Sequence, residues 1–537
     1  MSLPHRALLT LALLAILLAQ GACGGGGGGA PGPLPALDTS AIAAQPNDTG
    51  LPAGWERGAF MEIYVRGYKD SDGNGSGDLR GVTASLDYLK DLGVTGLWLM
   101  PVTQSQDHDH GYAVANYRAI ESDYGSLADL DELLREAHAR GIGVILDYVM
   151  NHSAAQNPAF VNAASGGGND FHDWYVWQNS KPSGWNVFGA DPWRAGGGAY
   201  YYAPFWDQMP DWNLKNAAVV AWHEDNLRFW LNRGVDGFRF DAVGSLFENG
   251  ANAWLDQPQN YTLMNQVQGV VKAYAKRTLV CEAPDDPAGF TAACGSAFAF
   301  GHQGDIVAAA KGDAAAIQRI AAWAATAPDG IATMVSNHDS FAGQRLWDQV
   351  GGDPAQYRLA AATYLLQPGL PFIYYGEEIG MAGAAALSGD AKLRTPMSWA
   401  GDARAGFTTG TPFRGLSANA SSFNVAAQSV DPNSLHAFYK AMLGLRRSLP
   451  ALATGSHSNA SVAGAVLSFR RTLGTQHAIV AINYGTIAAS ATVDGLPASA
   501  TLTRAFPTGA ADMAADAGGR AQIALPAQSL AVFGYGD

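Results

Sequence analysis

Apolar residues along this chain fall into short unbroken runs, separated by stretches with helical spacing. "FMEIYV" and "VTGLWLM" read as buried strands, with the helical segment "GVTASLDYLKDLG" between them. "SLADLDELLREAHARG" predicts another helix, and "IGVILDYV" the strand that follows it. The alternation continues through "AVVAWHEDNLRFWLNRG", "VDGFRFDAV", "RTLVCEA", "GIATMVSN" and "GLPFIYYG". Apolar runs without polar alternation belong to strands buried on both faces, as in parallel sheets with helical crossovers. The predicted fold class is α/β, a (β/α)8 barrel; eight such units need about 250 residues or more.

The pattern breaks between Asn151 and Asn213, a stretch crowded with Gly, Asn, Trp and Tyr. It is too long for a plain loop and reads as an inserted subdomain, 151–213, after the third strand. After the helix "LHAFYKAMLGLRRSLPAL" the periodicity shortens to alternating strands such as "GAVLSFRRT" and "HAIVAINY". These predict a C-terminal antiparallel β-sandwich over 453–537. The barrel is then built from 54–150 and 214–452.

The N-terminus changes the picture. His5 and Arg6 precede an apolar run of about 13 residues, short of the roughly 20 that a membrane span needs. Residues 1–22 therefore read as an export signal, and 23–53, rich in Gly, Pro and Ala, as a flexible tether. Cys23 follows small residues and opens a glycine-rich stretch, as in a bacterial lipoprotein signal, although Gln20 stands where that signal usually has an aliphatic residue. Lipid attachment at Cys23 is the expectation; ordinary cleavage leaves a secreted or periplasmic protein. Cys281 and Cys294 could pair or stay as buried thiols, and are too few for a zinc site. A formal charge of −14 excludes nucleic acid as a partner, since phosphates need clustered Lys and Arg. A monomer is expected.

Candidate chemistry gathers at predicted strand ends, where barrels carry their active sites. Asp147, Asn151 and His152 follow the third strand, Arg239 and Asp241 lie in "VDGFRFDAV", Glu282 follows "TLVC", and His338 and Asp339 follow "ATMVSN". Three carboxylates that converge on one mouth suit cleavage of an acetal. One attacks an oxocarbenium-like centre, and another, held protonated, supplies a proton to the leaving oxygen. Arg239 is expected to lower the pKa of Asp241, and the apolar setting of Glu282 to raise its own. Separately, "KDSDGNGSGDLRG" spaces Asp70, Asp72, Asn74 and Asp78 along a glycine-rich turn, with the Ser76 carbonyl between them. Hard oxygens on such a loop suit Ca²⁺.

Four segments in order, "DYVMNH", "GFRFDAV", "VCEA" and "VSNHD", resemble those of the α-amylase family of glycoside hydrolases, and the likeness runs from about 55 to 537. The resemblance implies that Asp241 is the nucleophile, Glu282 the general acid/base and Asp339 the transition-state stabiliser. Arg239 would orient the nucleophile, and Asp147 would share the substrate site. His152 and His338 would bond the sugar, and Tyr112 would stack on it. Retention is implied, with Asp241 and Glu282 about 5–5.5 Å apart. "QMPDWN" resembles the "MPDLN" of a group intermediate between oligo-1,6-glucosidases and neopullulanases, and "YYGEEIGM" and "RTPMSW" fit that branch. Ser245 stands where many α-amylases have a calcium-linked histidine. Ala113, Asn116 and Trp212 also depart from the pattern and are expected near the cleft. The implied activity is α-amylase action on internal α-1,4 links of starch or maltodextrin. An exo-acting α-glucosidase or oligo-1,6-glucosidase, or a transglycosylase, is the alternative. A non-catalytic glucan-binding protein would have been expected to lose one of the three carboxylates.

Overall fold

The computed structural model describes residues 36–166 and 168–536. The proposed leader and Cys23 lie outside them. Seven short parallel strands form one sheet: β1 (Phe60–Ile63), β2 (Gly96–Leu99), β3 (Gly143–Tyr148), β4 (Gly237–Phe240), β5 (Thr278–Cys281), β6 (Ala332–Thr333) and β7 (Leu370–Tyr374), in the order β5-β4-β3-β2-β1-β7-β6. Single bridges from Cys281 to Ala297 and from Phe298 to Ala332 close the ring between β5 and β6. This eighth position was absent from the sequence reading, because "AFAF" is too short and too alanine-rich to stand out as a strand.

Because strand side chains alternate with period two, each barrel strand sends every second residue inward. Phe60, Trp98, Ile145, Val280, Phe298, Ala332 and Phe372 form one apolar cluster inside the ring. One inward step further along the chain come Glu62, Asp147 and Glu282, and after Gly237 come Arg239 and then Asp241. The barrel is thus apolar at its base and charged at the C-terminal ends of its strands. That division positions the site.

Helices cover the outside. Leu127–Ala139 begins with a capping box between Ser126 and Asp129 and buries Leu130, Leu133, Leu134 and Ala137, the i, i+3, i+4, i+7 stripe that faces a core. The single helix expected across "GVTASLDYLKDLG" is instead two, Leu79–Ala84 and Leu86–Leu92, broken at Ser85. The Ser85 hydroxyl donates to the Gly81 carbonyl at 2.8 Å, a local bond that competes with helix continuation.

Between β3 and β4, a helix (Pro158–Ala163) and a three-stranded antiparallel sheet (Trp177–Gln178, Ala199–Tyr202, Trp193–Gly196) stand over the rim. The C-terminal unit is a six-stranded antiparallel sheet backed by the ribbon Ala489–Val493 and Ala521–Leu525. Its inner layer includes Val466, Ile479, Val493, Ile523 and Phe533. Its opposite face, with Leu467, Phe469, Val480, Ile482 and Val532, joins the main core between barrel and helices.

The segment expected to be a flexible tether is docked over its second half. The Asp38 carbonyl accepts from Trp222 Nε1 at 2.9 Å, and its carboxylate pairs with Arg118 at 2.9 Å. Asn232 receives the Gln45 amide at 2.8 Å and donates to the Ala43 carbonyl at 3.0 Å. Thr49 bonds Asp236, and Leu51 is buried. Polar side chains of the helix Ala217–Arg233 thus hold this strap, so its composition did not decide its behaviour. Cys281 and Cys294 are joined as a disulfide. Among the described residues no helix is long and apolar enough to cross a membrane.

Candidate active site

Arg239 lies at the centre of the charged layer. It pairs in register with Asp147 on β3 and Val280 on β5. Its guanidinium, buried to 1% exposure, meets three carboxylates: Asp241 at 2.7 Å, Asp147 at 3.0 Å and Glu282 at 2.8 Å. Trp98 and Tyr112 lie beside it, with ring centroids 5.2 and 5.6 Å from the guanidinium carbon. Asp147 also accepts from Tyr112 at 3.0 Å and Trp98 Nε1 at 3.2 Å.

One cation cannot neutralise three acids, and carboxylates this close cannot all ionise easily. Burial lifts Glu282 to about 7, against the pull of Arg239, and lifts Asp147 to about 6. Asp241 was expected to be lowered by its arginine. Burial instead pushes it above the ordinary carboxylate range, and Arg239 only partly reverses this because it is shared. Glu282 takes the Ala242 amide at 2.9 Å and meets the other terminal nitrogen of the guanidinium that holds Asp241. The two carboxyl groups therefore lie side by side. Inverting pairs stand roughly 6.5–9.5 Å apart to admit a water.

Asp339 differs. Burial would raise it, but His338 and Arg394 outweigh burial and hold it well below the usual range. His338 Nε2 lies 2.9 Å from one carboxylate oxygen, and Arg394 donates to the other at 2.7 Å. The Tyr112 hydroxyl lies 2.7 Å from the same Nε2, and its ring stacks on the imidazole. His152 is buried near Phe205, and burial pushes its pKa down to about 3; its Nε2 has no hydrogen-bond partner among the described residues. A neutral ring with one free nitrogen can take or give one hydrogen bond to a ligand hydroxyl.

Seven of the eight candidate catalytic and substrate residues are thus linked by direct contacts in one layer at the rim, and the eighth, His152, is buried beside Phe205. Sequence reasoning missed Glu62, Trp98, Arg394 and the pair Asp109–Arg414. Glu62 carried a signal, an acid inside the apolar run "FMEI". Arg394 carried little, standing in a segment without periodicity. Arg414 meets Asp109 at 2.7 Å, and Tyr64 also bonds Asp109. Trp212, expected near the cleft, is fully buried and packs on Tyr175 at 4.4 Å. Ala113 is likewise buried.

Asp70, Asp72 and Asp78 bring one carboxylate oxygen each within 4.8 Å of the others. Asn74 lies on the same turn, donates to Asp72 at 3.1 Å and accepts the Ser76 amide at 2.7 Å. Asp70 accepts the amides of Asp72, Gly73 and Gly75, which fixes the turn around it. Three hard oxygens on one short turn fit the donor set of Ca²⁺.

The sequence profile of the α-amylase catalytic domain matches residues 62–455. α-Amylase 3 of Dictyoglomus thermophilum is 33% identical over 412 residues, covering 75% of this chain and 79% of that protein. An oligo-1,6-glucosidase of Parageobacillus thermoglucosidasius is 29% identical over 517 residues, covering 80% and 90%. Among solved structures, the α-glucosyl transfer enzyme XgtA superposes with a TM-score of 0.78 at 28% identity, over 90% of this chain and 99% of that one. The chain belongs to the α-amylase family of glycoside hydrolases, retaining enzymes that hydrolyse or transfer glycosyl groups.

Proposed function

We propose that the protein is an exported α-amylase that cuts internal α-1,4 links of starch or maltodextrin. The reading rests on one observation: Asp241 and Glu282 share Arg239 while Glu282 is lifted to about 7. Protonated Glu282 gives its proton to the glycosidic oxygen as the C1–O bond breaks. Asp241 bonds to C1 and forms the glycosyl-enzyme. Glu282, now ionised, takes a proton from water, whose oxygen displaces Asp241. Asp339, held ionised, stabilises positive charge at the sugar, while His152, His338 and Tyr112 hold the ring and Asp147 fixes Arg239. Similarity to an α-amylase supports this choice.

A specific observation favours the exo-acting alternative. The Asp109–Arg414 ion pair ties the loop after β2 to the segment after β7, beside Arg394 and Asp339. A wall there would stop a chain from running through the cleft. A product time course on amylose, pullulan and isomaltose separates the two. Maltose and longer oligosaccharides from amylose support the first reading, and glucose alone supports the second. Glu282→Gln should lower turnover by about 10³-fold or more while sparing oligosaccharide binding; near-normal turnover would remove the acid/base assignment.

We also propose that Asp70, Asp72 and Asp78, with Asn74 and the Ser76 carbonyl, hold a structural Ca²⁺. A chelator should lower the melting temperature, added calcium should restore it, and Asp72→Ala should abolish the response. Lipid attachment at Cys23 is tested by incorporation of a labelled fatty acid, lost in Cys23→Ser.

A further inference from the structure

Within the charged layer, Glu62 occupies the inward position of β1 one step above Phe60. It is 1% exposed, and its Oε1 lies 2.6 Å from His338 Nδ1, across 276 residues of sequence. On the other side of the same ring, Nε2 lies 2.9 Å from Asp339 and 2.7 Å from the Tyr112 hydroxyl. That hydroxyl donates to Asp147 at 3.0 Å, so it faces the imidazole as an acceptor. Both ring nitrogens therefore face acceptors. A neutral imidazole has a single N–H and can satisfy only one of them, whereas an imidazolium donates to both.

We propose that Glu62 is a positioning residue that keeps His338 as an imidazolium and, through it, fixes and charges Asp339. The inference rests on reading Asp339 as part of the reacting constellation. Glu62 itself lies under His338 and does not reach the sugar.

Burial raises the Glu62 carboxyl, and His338 draws it back down. Burial would push the ring down, and Asp339 and Glu62 outweigh it, lifting His338 to about 10. The other groups facing it are Tyr112 from the loop after β2, Asp147 on β3, Arg239 on β4 and Arg394, whose Nε donates to the His338 carbonyl at 3.0 Å. Tyr374 on β7 borders Glu62. Arg239 and Arg394 both repel a charged imidazole. Without Glu62, only Asp339 and Asp147, the latter already paired with Arg239, would oppose both, and Glu62 supplies a further carboxylate.

Glu62→Gln keeps the shape and one hydrogen bond but removes the charge. In the full chain carrying ¹⁵N-histidine, with His338→Asn to assign the ring, native His338 should show imidazolium signals up to pH 9. In Glu62→Gln its protonation midpoint should fall by about one unit or more, and kcat should fall on the order of tenfold with KM changed less than about twofold. A neutral native ring at pH 7 overturns the proposal even if the variant does not fold. An unchanged midpoint and kcat in Glu62→Gln, with Asp339→Asn inactive, overturns it alone. Native turnover in Asp339→Asn would instead remove the reading of the site.

Discussion

At the scale of single residues, the decisive fact is that one guanidinium serves three acids. With a single positive charge among them, the cluster favours keeping a proton near neutrality, and Glu282, lifted to about 7, is placed to hold it. The sign follows: a general acid must be protonated, and its folded pKa is raised to about 7. On this basis kcat/KM should fall about tenfold per pH unit above roughly pH 7. A profile flat to pH 9 would contradict it. Lysine cannot reproduce the arrangement, because a point charge on one flexible stem cannot bridge three carboxylates. Arg239→Lys should therefore lower kcat on the order of 10²-fold, measured at saturating maltooligosaccharide. Sequence showed that Arg239 and Asp241 were neighbours but not that Asp147 and Glu282 compete for the same cation. The direction expected for Asp241 was wrong because burial outweighs an arginine that is shared. Glu62 and Arg394 escaped notice because their partners, His338 and Asp339, are distant in sequence.

Secondary elements were legible where burial dictates composition. The barrel strands are buried on both sides and so read as apolar runs, and amphipathic helices such as Leu127–Ala139 show their stripe. Elements set by a few polar contacts were not legible, and the strap is the clearest case. Asn232 holds Ala43 and, together with the Tyr274 hydroxyl, Gln45, and it accepts from Tyr274 at 2.5 Å. Losing it should cost about 2 kcal/mol, so Asn232→Ala should lower the urea midpoint without changing KM. A change in KM with stability intact would mean that the strap reaches the cleft. The eighth barrel position and the disulfide belong with the strap, since both depend on what lies opposite rather than on the residues themselves.

Across the whole molecule, the sandwich and barrel are not independent bodies. Leu467, Phe469, Val480, Ile482 and Val532 belong to the same apolar cluster as the barrel helices. Thr363, on the helix Pro354–Leu366, meets the Tyr484 hydroxyl at 2.7 Å. Burying each such large side chain contributes about 1.5–3 kcal/mol, which is comparable in sum to the roughly 5–15 kcal/mol that holds a typical protein folded. Calorimetry should therefore show one unfolding transition for both units. Two separated transitions would show the shared core to be dispensable.

The docked strap has a further consequence. The helix that holds it runs from the rim, at Ala217, down to Arg233 beneath β4. Asp38 bonds Trp222 in the first half of that helix, and Leu51 packs into the apolar cluster at the base, so the polypeptide enters the fold on the outside of the barrel nearer its rim. A bulky fusion ahead of residue 36 would therefore sit toward the rim of the barrel and away from its base. Such a fusion should slow digestion of amylose far more than of maltotriose, giving a size filter without altering one reacting group.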